Sequence, residues 1–246
     1  MITREAAGAL SALGLDPAGL VTSCRRLVDK HPRAGALWTL ASRVLTATDP
    51  MRAAWDLADE LDADPTGREL AAALPDDATV VVLGWPDVIP TALVRRGDLH
   101  TLVIDQFGEG SGLVRQLDAR DVDAEDVPSS GLGGAVSVAQ VVLLEAAIAG
   151  DGGIVAPAGS LAAAATGRAL GAEVWAVVPT ARCLPPSMWA YASAPLRGPE
   201  PWDEDEEIVP VELIDVLVGP DGRRPGDELR LRTDCAVAPE LLRPVL

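Results

Sequence analysis

Residues 141–179, reading VVLLEAAIAGDGGIVAPAGSLAAAATGRALGAEVWAVVP, limit what this chain can become more than any other stretch. An apolar run at 141–144 is short enough for a buried strand, and the glycine-rich turn Gly150-Asp151-Gly152-Gly153 leads into a second run, Ile154-Val155. Ala156-Pro157-Ala158-Gly159-Ser160 then opens an alanine-dense helix that closes at Gly171, and a β-branched run follows at 174–178. Buried strands alternating with a helix predict a parallel sheet covered on both faces. The amides at Gly159-Ser160 would begin the helix, where an anion is favoured.

The chain on either side divides by pattern. In residues 1–74, apolar residues recur at helical spacing; Leu20, Val21, Cys24, Leu27 and Val28 form one stripe. Asp16-Pro17 and Asp49-Pro50 read as N-caps followed by proline, and Thr66-Gly67-Arg68-Glu69 reads as a capping box. Pro75-Asp76-Asp77 marks the change of character, so a helical domain at 1–75 precedes a Rossmann-like α/β domain at 76–246. Strands are expected at 79–83 and 99–104, a weak one near Val127, and a last one at 213–218. Gly84, Trp85 and Asp105 follow strand ends, the edge that holds the ligand crevice in open α/β sheets. The five consecutive acids at 203–207 read as a solvated, mobile loop.

Charge narrows the partners. The net charge is −17, distributed as −2 over residues 1–75 and −15 over 76–246. Such a field argues against nucleic acid and anionic membrane surfaces as partners. Arg25, Arg26, Lys30 and Arg33 form the one basic cluster, read as a solvated helix face or an anion site. Three distant cysteines give neither a disulfide framework nor metal-ligand spacing, so no metal or cofactor is expected. No apolar run reaches spanning length and no cationic leader precedes an apolar core, so a soluble, cytoplasmic protein is expected.

At Gly152-Gly153 and Gly159-Ser160, flanked by strands, the chain resembles the proteins related to the regulatory subunits of translation initiation factor 2B. That group includes methylthioribose-1-phosphate isomerase and ribose-1,5-bisphosphate isomerase. Its pattern of strand, Gly-Ala-Asp, glycine loop, Asn-Lys-x-Gly-Thr and helix can be laid on residues 141–179 without a gap. Leu102-Val103-Ile104-Asp105 is similar to the family's strand ending in aspartate. Trp85-Pro86 stands where Arg-Pro is usual, and Arg182 where a lysine often follows the later strand. The departures are as informative. The family's proton-transferring aspartate falls at Ala146, Asn-Lys is replaced by Ala156-Pro157, and no cysteine lies between 25 and 182.

The resemblance implies a Rossmann-like fold after a helical domain, a small phosphorylated ligand and a homodimer. Three functions are open. A binding or regulatory module would keep the pocket (Gly84, Trp85, Gly152, Gly153, Gly159, Ser160 and Arg182) with catalysis lost; this is the expectation adopted. A sugar-phosphate isomerase with rearranged residues would use Glu145 as acid/base and Asp105 to orient hydroxyls. A purely structural subunit would use the alanine face at 162–165 for assembly.

Overall fold

The computed structural model describes residues 2–12 and 17–242; the cap expected at Asp16 lies outside them. The first third is helical: α1 (Ile2–Ala12), α2 (Pro17–Lys30), α3 (Gly35–Thr46), α4 (Pro50–Asp62) and α5 (Thr66–Ala73). Asp49 caps α4 as expected, accepting from Arg52 N at 3.0 Å ahead of Pro50. The capping box at 66–69 does not form. Thr66 is already inside α5, and Asp64 supplies the carboxylate instead, taking Thr66 N at 3.0 Å and its hydroxyl at 2.6 Å. Leu20, Cys24 and Val28 are buried along α2, as the stripe requires.

Beyond residue 78 the β-branched runs become strands β1 (Thr79–Leu83), β2 (His100–Asp105), β3 (Ala124–Pro128) and β4 (Val141–Glu145). Strands β5 (Ile148–Gly150), β6 (Gly153–Pro157), β7 (Glu173–Val177), β8 (Glu206–Pro210), β9 (Val216–Gly219) and β10 (Gly222–Pro225) follow. Between them lie α6 (Ile89–Arg96), α7 (Gly110–Asp118), α8 (Leu132–Val138), α9 (Ser160–Leu170) and α10 (Pro186–Ser193). The main sheet has the order β10-β9-β7-β4-β1-β2-β3, parallel except for β10 at its edge. Successive residues of each strand face opposite layers. Val80, Val82 and Leu143 pack under α5, α6 and α7, whereas Val81, Leu144 and Ala176 pack under α8 and α9.

Three expectations fail here. The Ile154-Val155 run is not part of the parallel sheet: β6 pairs antiparallel with β5 and β8 in a separate three-stranded sheet. The acidic run is not a free loop, because Glu206 and Glu207 are the first residues of β8, paired with Pro157 and Ala156. The strand expected at 213–218 is shorter and is not the last, since residues 211–213 form a 3₁₀ turn before β9 begins and β10 follows it.

A third core joins the small sheet to the helices. Leu37, Trp38, Leu40 and Leu57 pack with Ile148, Val155, Leu184, Met188 and Trp189. Gly35 begins α3 against the connection between β4 and β5, its N–H donating to Ala147 O at 3.1 Å. A Cβ there would stand 2.7 Å from that oxygen, so only glycine admits the approach.

Candidate functional site at the carboxyl edge of the sheet

The strand order turns about β1: β2 and β3 lie on one side, β4, β7 and β9 on the other. The carboxyl ends of β1 and β4 therefore flank a topological switch point, where such sheets bind ligands. Gly84 leaves β1 at φ +62°, a left-handed turn that favours glycine, and delivers Trp85, Pro86 and Asp87 to this edge. Beside them β4 ends in Glu145 and Ala146, and Ala146 is fully buried.

Glu145 is committed to the protein's own backbone. One carboxylate oxygen accepts from Asp87 N at 3.1 Å, and the other accepts from Val88 N at 2.8 Å and Ile89 N at 3.1 Å. It thus closes the N-terminus of α6, where a negative charge is favoured. Burial pushes its pKa up, while Arg182 and the amides of Val88 and Ile89 oppose that rise.

Arg182 reaches the same place from the far end of β7. The preceding segment is held by Asp64, which accepts from Thr180 N at 3.0 Å, and by Thr39, whose hydroxyl donates to Ala181 O at 2.9 Å. Ala181 itself sits at φ +66°, a left-handed conformation that costs a β-carbon residue about 1 kcal/mol or more. Arg182 Nη1 donates to Ala146 O at 3.2 Å and Nη2 to Asp87 at 3.2 Å, while its buried Nε has no partner.

Three cavities adjoin this guanidinium; one, of about 390 Å³, is lined by Asp64, Gly67, Thr91 and Thr180 among others, and two lie toward Arg33 and Glu206. One of about 140 Å³ is lined by Trp85, Glu145, Ala146, Pro157, Arg182 and Glu206. The other, about 540 Å³, lies against the start of α3 and is lined by His31, Arg33, Ala36, Asp62, Asp87 and Arg182 among others. No side chain caps α3; its first amide, Gly35 N, is taken by Ala147 O and the amides of Leu37 and Trp38 by Ala34 O, and Arg33 stands beside this start at the larger cavity. Arg33 is engaged by Glu206 at 3.0 Å and Glu204 at 3.4 Å. Burial raises the Glu206 pKa and Arg33 counters it.

The sequence-predicted residues divide accordingly. Trp85, Glu145 and Arg182 come together at this edge, with Gly84 as the turn that brings Trp85 there. Asp105 stands apart, accepting from Gly110 N at 2.8 Å to start α7. Gly152 and Gly153 belong to the β5–β6 hairpin. A Cβ on Gly152 would meet the Trp189 ring nitrogen at 2.8 Å, and Gly153, at φ +139°, lies against Val209 O. Gly159 and Ser160 do open α9, with Gly159 at φ +95° and Ser160 buried, its hydroxyl unpartnered. The next amide, Leu161 N, donates to Glu207 at 2.7 Å, so a carboxylate of this chain already stands at that helix end. Sequence reading missed Asp87, Glu206 and the role of Arg33. Their partners lie 95 residues or more away, and only the Arg25–Arg33 basic cluster pointed toward them.

Among the described residues no group of three or more His, Cys, Asp or Glu could hold a metal ion, and no helix is long and apolar enough to cross a membrane. No protein-family model matches the chain, and no curated protein sequence matches it. Solved structures do. Translation initiation factor eIF-2B from Pyrococcus horikoshii OT3 superposes with a TM-score of 0.71 at 14% identity, over 90% of this chain and 89% of that one. The eIF2B beta subunit from Chaetomium thermophilum gives 0.67 at 17% identity, over 92% and 78%. A chain of the tetrameric eIF2B-beta2-delta2 complex from C. thermophilum gives 0.71 at 16% identity, over 92% and 85%. At such identities the likeness is one of architecture: the chain carries the fold of the eIF2B alpha/beta/delta-type subunits, in divergent sequence.

Proposed function

We propose that the protein is a catalytically degenerate binding or regulatory module that takes a small phosphorylated ligand at the carboxyl edge of its sheet. The observation that carries this is the pairing of Ala146 with Arg182. Where the resembled isomerases hold a proton-transferring aspartate, this chain has a buried methyl group, and the neighbouring Glu145 is spent on three backbone amides. The cation beside them still lines three cavities. Phosphate would meet Arg182 and Arg33, two guanidinium groups suited to a dianion.

Thermal unfolding in the presence of ribose phosphates, methylthioribose 1-phosphate and nucleoside monophosphates tests this. Ligand at 100 times its Kd stabilises by about 2.7 kcal/mol, a readily measured rise in Tm. The expected result is a rise with at least one phosphate ester, abolished in Arg182→Met, with no turnover. Turnover that Glu145→Gln abolishes would instead establish an isomerase. No rise with any phosphate would leave an assembly role only.

Assembly is a further part of the reading. One fold neighbour was solved as a tetrameric complex. Here Leu161, Ala162 and Ala165 on α9 and Gly133, Gly134 and Val138 on α8 are exposed and uncharged on adjacent helices. In a chain of net charge −17 such a face is where a second copy can approach with least repulsion. Sedimentation should give a homodimer that Ala165→Glu dissociates.

A further inference from the structure

The geometry points to Glu206 as the residue that sets which anions the cleft accepts, by holding Arg33 in place of the ligand; this rests on the binding reading above. Glu206 lines the smaller cavity and Arg33 the larger, so their 3.0 Å ion pair bridges the two linings. The Arg182–Asp87 pair, at 3.2 Å, touches both cavities as well. The two pairs differ in burial. Arg33 and Glu206 expose 21% and 25% of their side chains, whereas Asp87 exposes 77%. Asp87 can swing into water at little cost, but Glu206 is anchored in β8 opposite Pro157.

An incoming anion must therefore compete with Glu206 for Arg33. A monocarboxylate would exchange like for like and gain nothing. A phosphate monoester, with a charge of roughly −1.5 to −2 and three acceptor oxygens, can engage Arg33 and Arg182 together and displace the internal carboxylate. The cleft thus selects for phosphate esters over carboxylates of the same size. Ligand entry releases the start of β8 from the helical segment.

Calorimetric titration of the whole chain with ribose 5-phosphate tests the competition in a double-mutant cycle. Glu206→Gln, which keeps the shape and an acceptor, should tighten binding by about fivefold or more. In an Arg33→Met background the same change should have no effect, because the competition acts through Arg33. Ribonate should bind wild type at least about tenfold more weakly than ribose 5-phosphate. Equal gains in both backgrounds, or equal affinity for the two ligands, overturn the inference and leave the phosphate site standing. Failure of ribose 5-phosphate, inorganic phosphate and ribonate to bind any variant sinks both. If Arg33→Met unfolds, hydrogen exchange in wild type reads the same step: saturating ribose 5-phosphate should speed exchange at residues 204–208, and unchanged exchange overturns the proposal.

Discussion

Glu145 and Val88 meet at 2.8 Å across 57 residues of sequence, the carboxylate of one strand end closing the helix that begins after another. Removing it strips three amides of their acceptor at once. Glu145→Ala should cost about 2–3 kcal/mol in urea unfolding. A change within 0.5 kcal/mol would mean that water replaces the carboxylate without penalty.

Protonation provides a separate test at the same position. Burial raises the pKa of Glu145 and of Glu206 above 4.5 in the folded chain. Above pH 4.5 the folded state then retains protons that the unfolded state has released, so their stabilising contribution is full below that pH. It is lost as pH rises through the folded pKa values. Wild-type stability should fall relative to that of Glu145→Gln as pH climbs from about 4.5 toward 7. Parallel curves would show that the carboxylate titrates normally.

Gly153 offers a backbone prediction. It sits at φ +139°, and a Cβ would overlap Val209 O of the neighbouring strand. Gly153→Ala should therefore cost about 2–4 kcal/mol by thermal or urea unfolding, from strain and steric overlap together. A mild effect would require β6 and β8 to separate, visible as faster amide exchange in β8.

Asp64 ties the start of α5 to the segment that presents Arg182, accepting from Thr66 and Thr180. Asp64→Ala should cost about 1–3 kcal/mol and also weaken phosphate binding, because Arg182 loses its support. Lost stability with unchanged affinity would show that Thr39 alone fixes the Ala181–Arg182 turn.

How much of this was legible depended on the range of the interactions. Strands β1, β2, β4 and β7 carry continuous β-branched or apolar runs, and a parallel sheet buried on both faces requires them, so each stood out from its own residues. The direction of β6 did not, because a two-residue core such as Ile154-Val155 looks the same in either sheet. Its partner β8 was hidden by charge. Glu206 and Glu207 read as solvent-facing, and the groups that make them tolerable in a strand, Arg33 and the amide of Leu161, lie far away in sequence. Arg182 was legible through the resemblance, because it stands where a lysine often follows the later strand. Gly152, Gly153 and Gly159 were legible as glycines but not as to cause, since close packing of Trp189, Val209 and Gln106 demands the same residue that a ligand would.

The core that α3 and α4 share with Ile148, Val155 and Trp189 has a thermodynamic corollary. Helices and small sheet are clasped around one apolar centre, with one cavity on the helical side and one beside Pro157 and Glu206, both bordered by Arg182. Any molecule that binds there in the folded chain alone adds to its stability, even as it loosens the start of β8. Occupancy and resistance to unfolding would then rise and fall as a single quantity.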